Sequence, residues 1–151
     1  MSTQSLERAA REVREQCLAT KLRQAARAVS AHYDAQMASA GIRGTQFSVL
    51  IALAQAPLIP MSKLAEVLVM DRTTLTRNLS PLLRDGLVEA HEAQDRRVRA
   101  YALTARGRQS VERALPGWRS AQADLQKALS ASEREQLTRI LNKAVEATRS
   151  D

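Results

Sequence analysis

Asp71-Arg-Thr-Thr-Leu-Thr-Arg-Asn-Leu79, continued by Ser80-Pro-Leu-Leu-Arg84, decides how this chain is read. Asp71 predicts a helix N-cap, because its carboxylate can accept from the free amides of a first turn and suits the positive helix end. Leu75, Leu79, Leu82 and Leu83 recur at i, i+4, i+7 and i+8, so they share one face. The opposite face carries Thr73, Arg77, Ser80 and Arg84, with Thr74 on its flank. Alone, this would be an ordinary amphipathic helix with a solvated side.

The flanking sequence changes that reading. Met61-Ser-Lys-Leu-Ala-Glu-Val-Leu68 predicts a short helix with Leu64, Ala65 and Leu68 on one side, and Val69-Met70 leaves only a tight turn before the next cap. Two helices joined this closely form a helix-turn-helix, whose second helix places its N-terminal residues at base edges in the DNA major groove. The turn contains no glycine, and Pro81 lies within the second helix. A proline there removes one backbone bond, freeing the Arg77 carbonyl to solvent, and predicts a bend, not a break.

Downstream, Gly86 stands where a helix end needs a left-handed residue. Leu87-Val88 begins a strand, and Arg99-Ala-Tyr-Ala-Leu103 has the two-residue period of a half-buried one. The polar stretch His91-Glu-Ala-Gln-Asp-Arg-Arg97 joins them as a hairpin. Arginines at a hairpin tip suit a narrow minor groove, so Arg96 and Arg97 are candidate DNA contacts, with Asp95 holding Arg97 extended.

This order of pieces resembles the MarR family of bacterial winged helix-turn-helix regulators. The matching residues are Leu64-Ala65, Asp71 to Arg77, Asp85-Gly86-Leu87-Val88, Asp95-Arg96-Arg97, and Leu103-Thr104 followed by Gly107. Gly41-Ile-Arg-Gly-Thr-Gln-Phe47 resembles the family's approach to the helix before the motif. The resemblance covers about the whole chain. It implies a mainly α dimer with small β-hairpin wings, a recognition helix contributed by Arg72 to Arg84, and a wing arginine at Arg97. It also implies a repressor that leaves DNA when a small aromatic acid or phenol binds, or when a cysteine is oxidised. The candidate DNA contacts are Arg72, Thr73, Thr74, Arg77, Ser80, Arg84, Asp95, Arg96 and Arg97, with Thr45, Ser62 and Lys63 as candidate phosphate contacts.

Composition is permissive of this. The chain has 151 residues, which suits one domain, and a formal net charge of +7, which suits a polyanionic partner. Residues 72–108 hold eight Lys/Arg against four Asp/Glu, so charge by itself would not locate the site. The lone cysteine, the lack of an eighteen-residue apolar run and an N-terminus without a signal-peptide pattern predict a cytoplasmic protein without a membrane span. Four aromatic residues, Tyr33, Phe47, Tyr101 and Trp118, are few for a single-strand or RNA binder that works by stacking. No metal-ligand cluster, cofactor motif or catalytic constellation stands out, so neither a metal, a cofactor nor an enzyme is expected.

The ends of the chain read as helices that dimerise, at residues 1–40 and 105–151, around a DNA-binding lobe at about 45–103. The first forty residues lack Gly and Pro and predict one long helix with Leu18, Leu22, Ala25, Ala26 and Val29 on one face. Another helix runs from Ala105 to about Leu129, capped by Thr104, with a kink expected at Pro116-Gly117. Ser132-Glu-Arg-Glu135 predicts a capping box for a last helix, which presents Leu137, Ile140, Leu141 and Val145. A winged motif of this size has little surface for all these apolar faces, and a homodimer interface is their economical home.

A small aromatic effector between the helices and the lobe could be lined by His32, Tyr33, Phe47 and Trp118, although core packing also explains each of them. Cys17, with Arg14 at i−3 and Lys21 at i+4, raises a redox alternative. The sequence thus predicts a double-stranded-DNA-binding transcriptional regulator. A non-specific nucleoid-type binder is the competing class, disfavoured by Thr73, Thr74 and Arg77, whose side chains read base edges.

Overall fold

The computed structural model describes residues 3–92 and 99–148. Helices α1 (Thr3–Gln16) and α2 (Leu18–Met37) lead through a short 3-10 turn (Ala38–Ala40) to α3 (Gly44–Leu53). Strand β1 (Ile59–Pro60) precedes α4 (Met61–Leu68) and α5 (Arg72–Arg84). Strands β2 (Val88–Glu92) and β3 (Arg99–Leu103) follow, then α6 (Ala105–Ala128) and α7 (Ala131–Thr148). The fold is mainly α with a small antiparallel sheet in the order β1-β3-β2.

One apolar cluster organises the lobe. Val49, Leu50 and Leu53 of α3 meet Leu64 of α4, Leu75, Leu79 and Leu82 of α5, Tyr101 and Leu103 of β3, and Val111 and Ala114 of α6. The leucine face anticipated on α5 is therefore the core face, with Leu83 half-buried at its margin. Because α6 also packs along α2, it belongs both to the lobe and to the helical arm.

Several local expectations are corrected. The first forty residues do not form one helix: Cys17, extended at φ −71° and ψ 105°, ends α1 and starts α2. Its amide still donates to the Val13 carbonyl at 3.0 Å, and its own carbonyl accepts from Thr20 and Lys21. No Gly or Pro marks this junction, which is why periodicity alone missed it. The cap of α7 is also displaced by two residues. Glu133 accepts from the Ser130 amide at 2.8 Å and from its hydroxyl at 2.7 Å, and the Glu133 amide donates back to Ser130 Oγ at 3.3 Å. Ser130-Ala-Ser-Glu133 has the same spacing as Ser132-Glu-Arg-Glu135, and the end of α6 at Ala128 selects the earlier pair.

Strand β3 does not alternate. Ala100, Tyr101, Ala102 and Leu103 are all buried. Part of the reason is β1, which the sequence reading omitted and which makes β3 the central strand. It pairs Ile59 with Tyr101 and Pro60 with Ala100, so the Ala100 methyl lies between the side chains of Pro60 and His91. Helix α5 continues through Pro81, and α6 is one unbroken helix through Pro116 and Gly117. Gly117 has a packing role: a Cβ there would stand 2.3 Å from the Gln36 carbonyl oxygen of α2.

The glycine-free turn of the helix-turn-helix is closed by Val69, at φ 51° and ψ 44°. A β-branched residue is strained in this left-handed region. Val69 is 60% exposed, so little packing offsets that strain. Left-handed geometry costs an ordinary residue about 1–2 kcal/mol, and glycine's extra backbone entropy takes back about 0.5–1. Val69→Gly should therefore raise stability by a few tenths to about 1 kcal/mol. Urea denaturation checks this, and a loss of stability would show that the Val69 side chain packs usefully.

Candidate nucleic-acid interface

Helix α5 is built from its cap outward. Asp71 Oδ1 accepts from the Thr74 amide at 2.8 Å, and Asp71 Oδ2 from the Thr74 hydroxyl at 2.6 Å. These bonds, hydroxyl first, hold the Asp71 carboxyl below its ordinary value, so the cap is anionic at neutral pH. With Leu75, Leu79 and Leu82 buried, the residues Arg72, Thr73, Thr74, Arg77, Ser80 and Arg84 are all exposed. They are brought together on one helix, as the spacing anticipated.

Their hydrogen-bonding states differ. The Thr74 hydroxyl proton is committed to Asp71, and the Ser80 hydroxyl donates to the Thr76 carbonyl at 2.8 Å. Both hydroxyls keep lone pairs, so toward a base they act as acceptors. Arg84 Nε lies 3.1 Å from Asp85 Oδ1 in an exposed pair. The side chains of Arg72, Thr73 and Arg77 have no partner among the described residues. Arg77 thus presents a full guanidinium fork near the front of the helix, the geometry that reads guanine bidentately.

Behind α5, Gly86 adopts φ +66° and turns the chain into β2. The hairpin is anchored at its base. Thr104 Oγ1 donates to the Gly86 carbonyl at 2.8 Å and accepts from the Gly107 amide at 2.9 Å, capping α6. A Cβ on Gly107 would stand 2.1 Å from the Leu87 carbonyl oxygen, which explains a glycine at this point of a helix. The ladder runs from Val88 opposite Leu103 to Glu92 opposite Arg99. Asp95, Arg96 and Arg97 lie outside the described residues.

Of the candidate phosphate contacts, Thr45 and Ser62 are exposed in the first turns of α3 and α4. Lys63 is exposed too, but its ammonium is held by both Glu66 oxygens at 3.0 and 3.1 Å.

Of the residues named for a ligand site, Tyr33 and Trp118 both pack against the core cluster that buries Phe47. His32 and Tyr33, their rings edge to face at 6.4 Å, lie where α2 packs on α6. Tyr33 donates to Gln122 Oε1. His32 Nε2 stands 3.2 Å from Asp124 Oδ2 without hydrogen-bond alignment. Phe47 is buried in the lobe's core, and Trp118 is half-buried against that core. Sequence reasoning missed Gln122 and Asp124, and also Asp34, whose carboxylate accepts from the Gly44 amide. A signal for Asp34 was present: Arg43, at the N-cap of α3, has no acceptor to offer.

The sequence model of the MarR family matches residues 40–98, the span from the approach to α3 up to the start of β3. Transcriptional regulator HosA of Escherichia coli O157:H7 is 33% identical over 99 residues, which are 65% of this chain and 73% of that protein. This chain belongs to the MarR family. Solved family structures superpose on it closely. The M. tuberculosis regulator MosR in complex with DNA is 35% identical, with a TM-score of 0.80 over 89% of this chain and 100% of that one. A mutant of E. coli MarR in complex with operator DNA is 25% identical, with a TM-score of 0.79 over 88% of this chain and 96% of that one. As a MarR-family protein the chain is a transcriptional regulator and not an enzyme. Among the described residues, no helix is long and apolar enough to cross a membrane.

Proposed function

We propose that this MarR-family regulator is a cytoplasmic homodimer that reads an inverted repeat in double-stranded DNA and represses transcription until a small aromatic effector releases it. The observation that carries the reading is the front of α5: a capped helix on a buried leucine face, presenting Arg72, Thr73 and Arg77 without partners among the described residues. The DNA-bound state of the MosR and MarR structures supports the same partner here. The wing tip, Asp95-Arg96-Arg97, is assigned to the adjacent minor groove, with Arg97 inserted and Arg96 nearer phosphate. Thr45, Ser62 and Lys63 are assigned to the phosphate backbone, Lys63 after exchanging Glu66 for phosphate.

Dimerisation is assigned to the terminal helices, residues 1–40 and 105–151, around the lobe at about 45–103. Leu6 and Val13 of α1, Leu18, Leu22 and Val29 of α2, and Leu137, Ile140 and Leu141 of α7 are all exposed in the single chain. Apolar faces on three helices at the two ends of the chain mark a partner surface. The effector is assigned to the seam of α2 and α6, where the paired rings of His32 and Tyr33 meet Gln122 and Asp124. Trp118, packed like Tyr33 against the core that buries Phe47, is assigned to the same site.

Selection from a random DNA pool, with light scattering at micromolar concentration, tests the reading. A dimer should enrich an inverted repeat with half-sites about one helical turn, ~10 bp, apart. Equal competition by random DNA would favour a non-specific nucleoid-type binder instead, and a monomer would remove the symmetry argument. A thermal-shift screen of small aromatic acids tests the effector.

A specific observation favours thiol sensing as a second trigger. Cys17 is half-exposed at the start of α2. The Thr20 hydroxyl and amide, then the Ala19 amide and Arg23 at longer range, hold its thiol below the ordinary value. Lys21 and Arg14, invoked from spacing, are not the cause. Iodoacetamide should alkylate Cys17 in the folded protein at neutral pH faster than in the unfolded chain, because more thiolate is present. Thr20→Val should slow it. Equal folded and unfolded rates would leave Cys17 as a junction residue only.

A further inference from the structure

Helix α3 begins without a cap of its own. Its N-cap residue is Arg43, extended at φ −87° and ψ 153°, and a guanidinium cannot accept from first-turn amides. Gln46 turns back to accept from the Arg43 amide at 3.1 Å. The Gly44 amide is taken by another helix: Asp34 of α2 accepts it on Oδ1 at 2.5 Å. Gly44 makes room for this, since a Cβ there would stand 3.2 Å from that oxygen. The two residues before Asp34 face the other way. Tyr33 donates to Gln122 of α6, and His32 faces Asp124 of α6. Three consecutive residues therefore bind α2 to α6 on one side and to the winged lobe on the other.

The consequence reaches the recognition helix. α3 places Val49, Leu50 and Leu53 in the cluster that holds Leu75, Leu79 and Leu82 of α5. Close-packed helices of this kind transmit displacement instead of absorbing it. The angle at which α3 leaves α2 is then the angle at which α5 is presented. A carboxylate at a helix N-terminus is a directional anchor, favoured by the helix dipole as well as by the hydrogen bond.

We infer that Asp34 is a positioning residue for DNA recognition: by capping α3 from α2 it sets the tilt of the winged lobe against the dimerising helices, and through it the separation of the two α5 helices. This rests on the dimeric reading above.

Energy transfer between probes on Gln24→Cys and Thr76→Cys, in a Cys17→Ser background with labelled chains diluted into unlabelled ones, reports the α2–α5 distance distribution without DNA. Asp34→Ala should broaden it, and Asp34→Asn, which keeps an acceptor oxygen, should restore it. Gly44→Ala presses on the same oxygen from α3 and should broaden it as well, which keeps the test open if Asp34→Ala does not fold. The second readout is a panel of inverted repeats with half-sites moved apart or together by one base pair. Asp34→Ala should lose about fivefold of the wild-type spacing preference, the factor that a helix-cap bond supplies, and keep its affinity for an isolated half-site. An Asp34→Ala protein with the wild-type distance distribution overturns the inference, as does broadening that Asp34→Asn fails to restore. A wild-type protein with no operator preference overturns the dimeric reading instead, and the distance measurement then decides on Asp34 by itself.

Discussion

Replacing Arg77 with alanine should weaken operator binding by about 1–3 kcal/mol and relax the preference at particular base pairs, as expected for loss of a bidentate guanine contact. The side chain is exposed in the second turn of a helix capped at Asp71, and it has no partner among the described residues. Among the described residues, no intramolecular bond must be broken for its guanidinium to reach a base. Arg84 offers the contrast. It lies in the last turn of the same helix and is already paired with Asp85 at 3.1 Å. Arg84→Ala should act evenly across sequences and lower the salt slope, as a phosphate contact does. A base-substitution panel titrated at several salt concentrations separates the two. Identical profiles would show that α5 does not divide its arginines between bases and backbone. Neither substitution touches the leucine face, so both proteins should melt close to the wild type.

The second large effect concerns the contact between α2 and α6. Gly117→Ala should destabilise the protein by about 2 kcal/mol, within the usual range for overpacking. Two opposing terms decide the sign. Alanine gains about 1 kcal/mol of helix propensity over glycine. The added Cβ, however, would stand 2.3 Å from the Gln36 carbonyl oxygen and 2.9 Å from its carbon. These are backbone atoms of a helix, so relief requires α2 and α6 to separate. The strain should exceed the propensity gain, and the melting temperature should fall by about 4–8 °C. A rise in melting temperature would show that the helices part without cost. The same separation would disturb the Tyr33–Gln122 bond.

Legibility in the sequence followed the range of the interactions involved. The Asp71 cap, the leucine face of α5, the Gly86 turn and the Thr104 cap were readable, because each is set within about one helical turn. The exposed set from Arg72 to Arg84 followed from the same period. Where two local solutions had equal merit, the sequence could not choose. Ser130–Glu133 and Ser132–Glu135 have identical spacing, and only the end of α6 selects the first. The junction at Cys17 carries no helix breaker, and the glycine-free turn hides a strained Val69.

What the sequence by itself determined is helix α5, its cap, its two faces and the pair of strands behind it. Their hydrogen bonds and periodicities lie within a few residues of one another. The tertiary structure alone decided the features that join distant segments. These are the third strand that leaves β3 paired on both edges, the close passage of Gly117 over Gln36, the seam of His32 and Tyr33 with Asp124 and Gln122, and the loan of Asp34 to α3. Each depends on where a second helix or strand stands, and that position is fixed by packing of the whole core. Local propensity does not encode it.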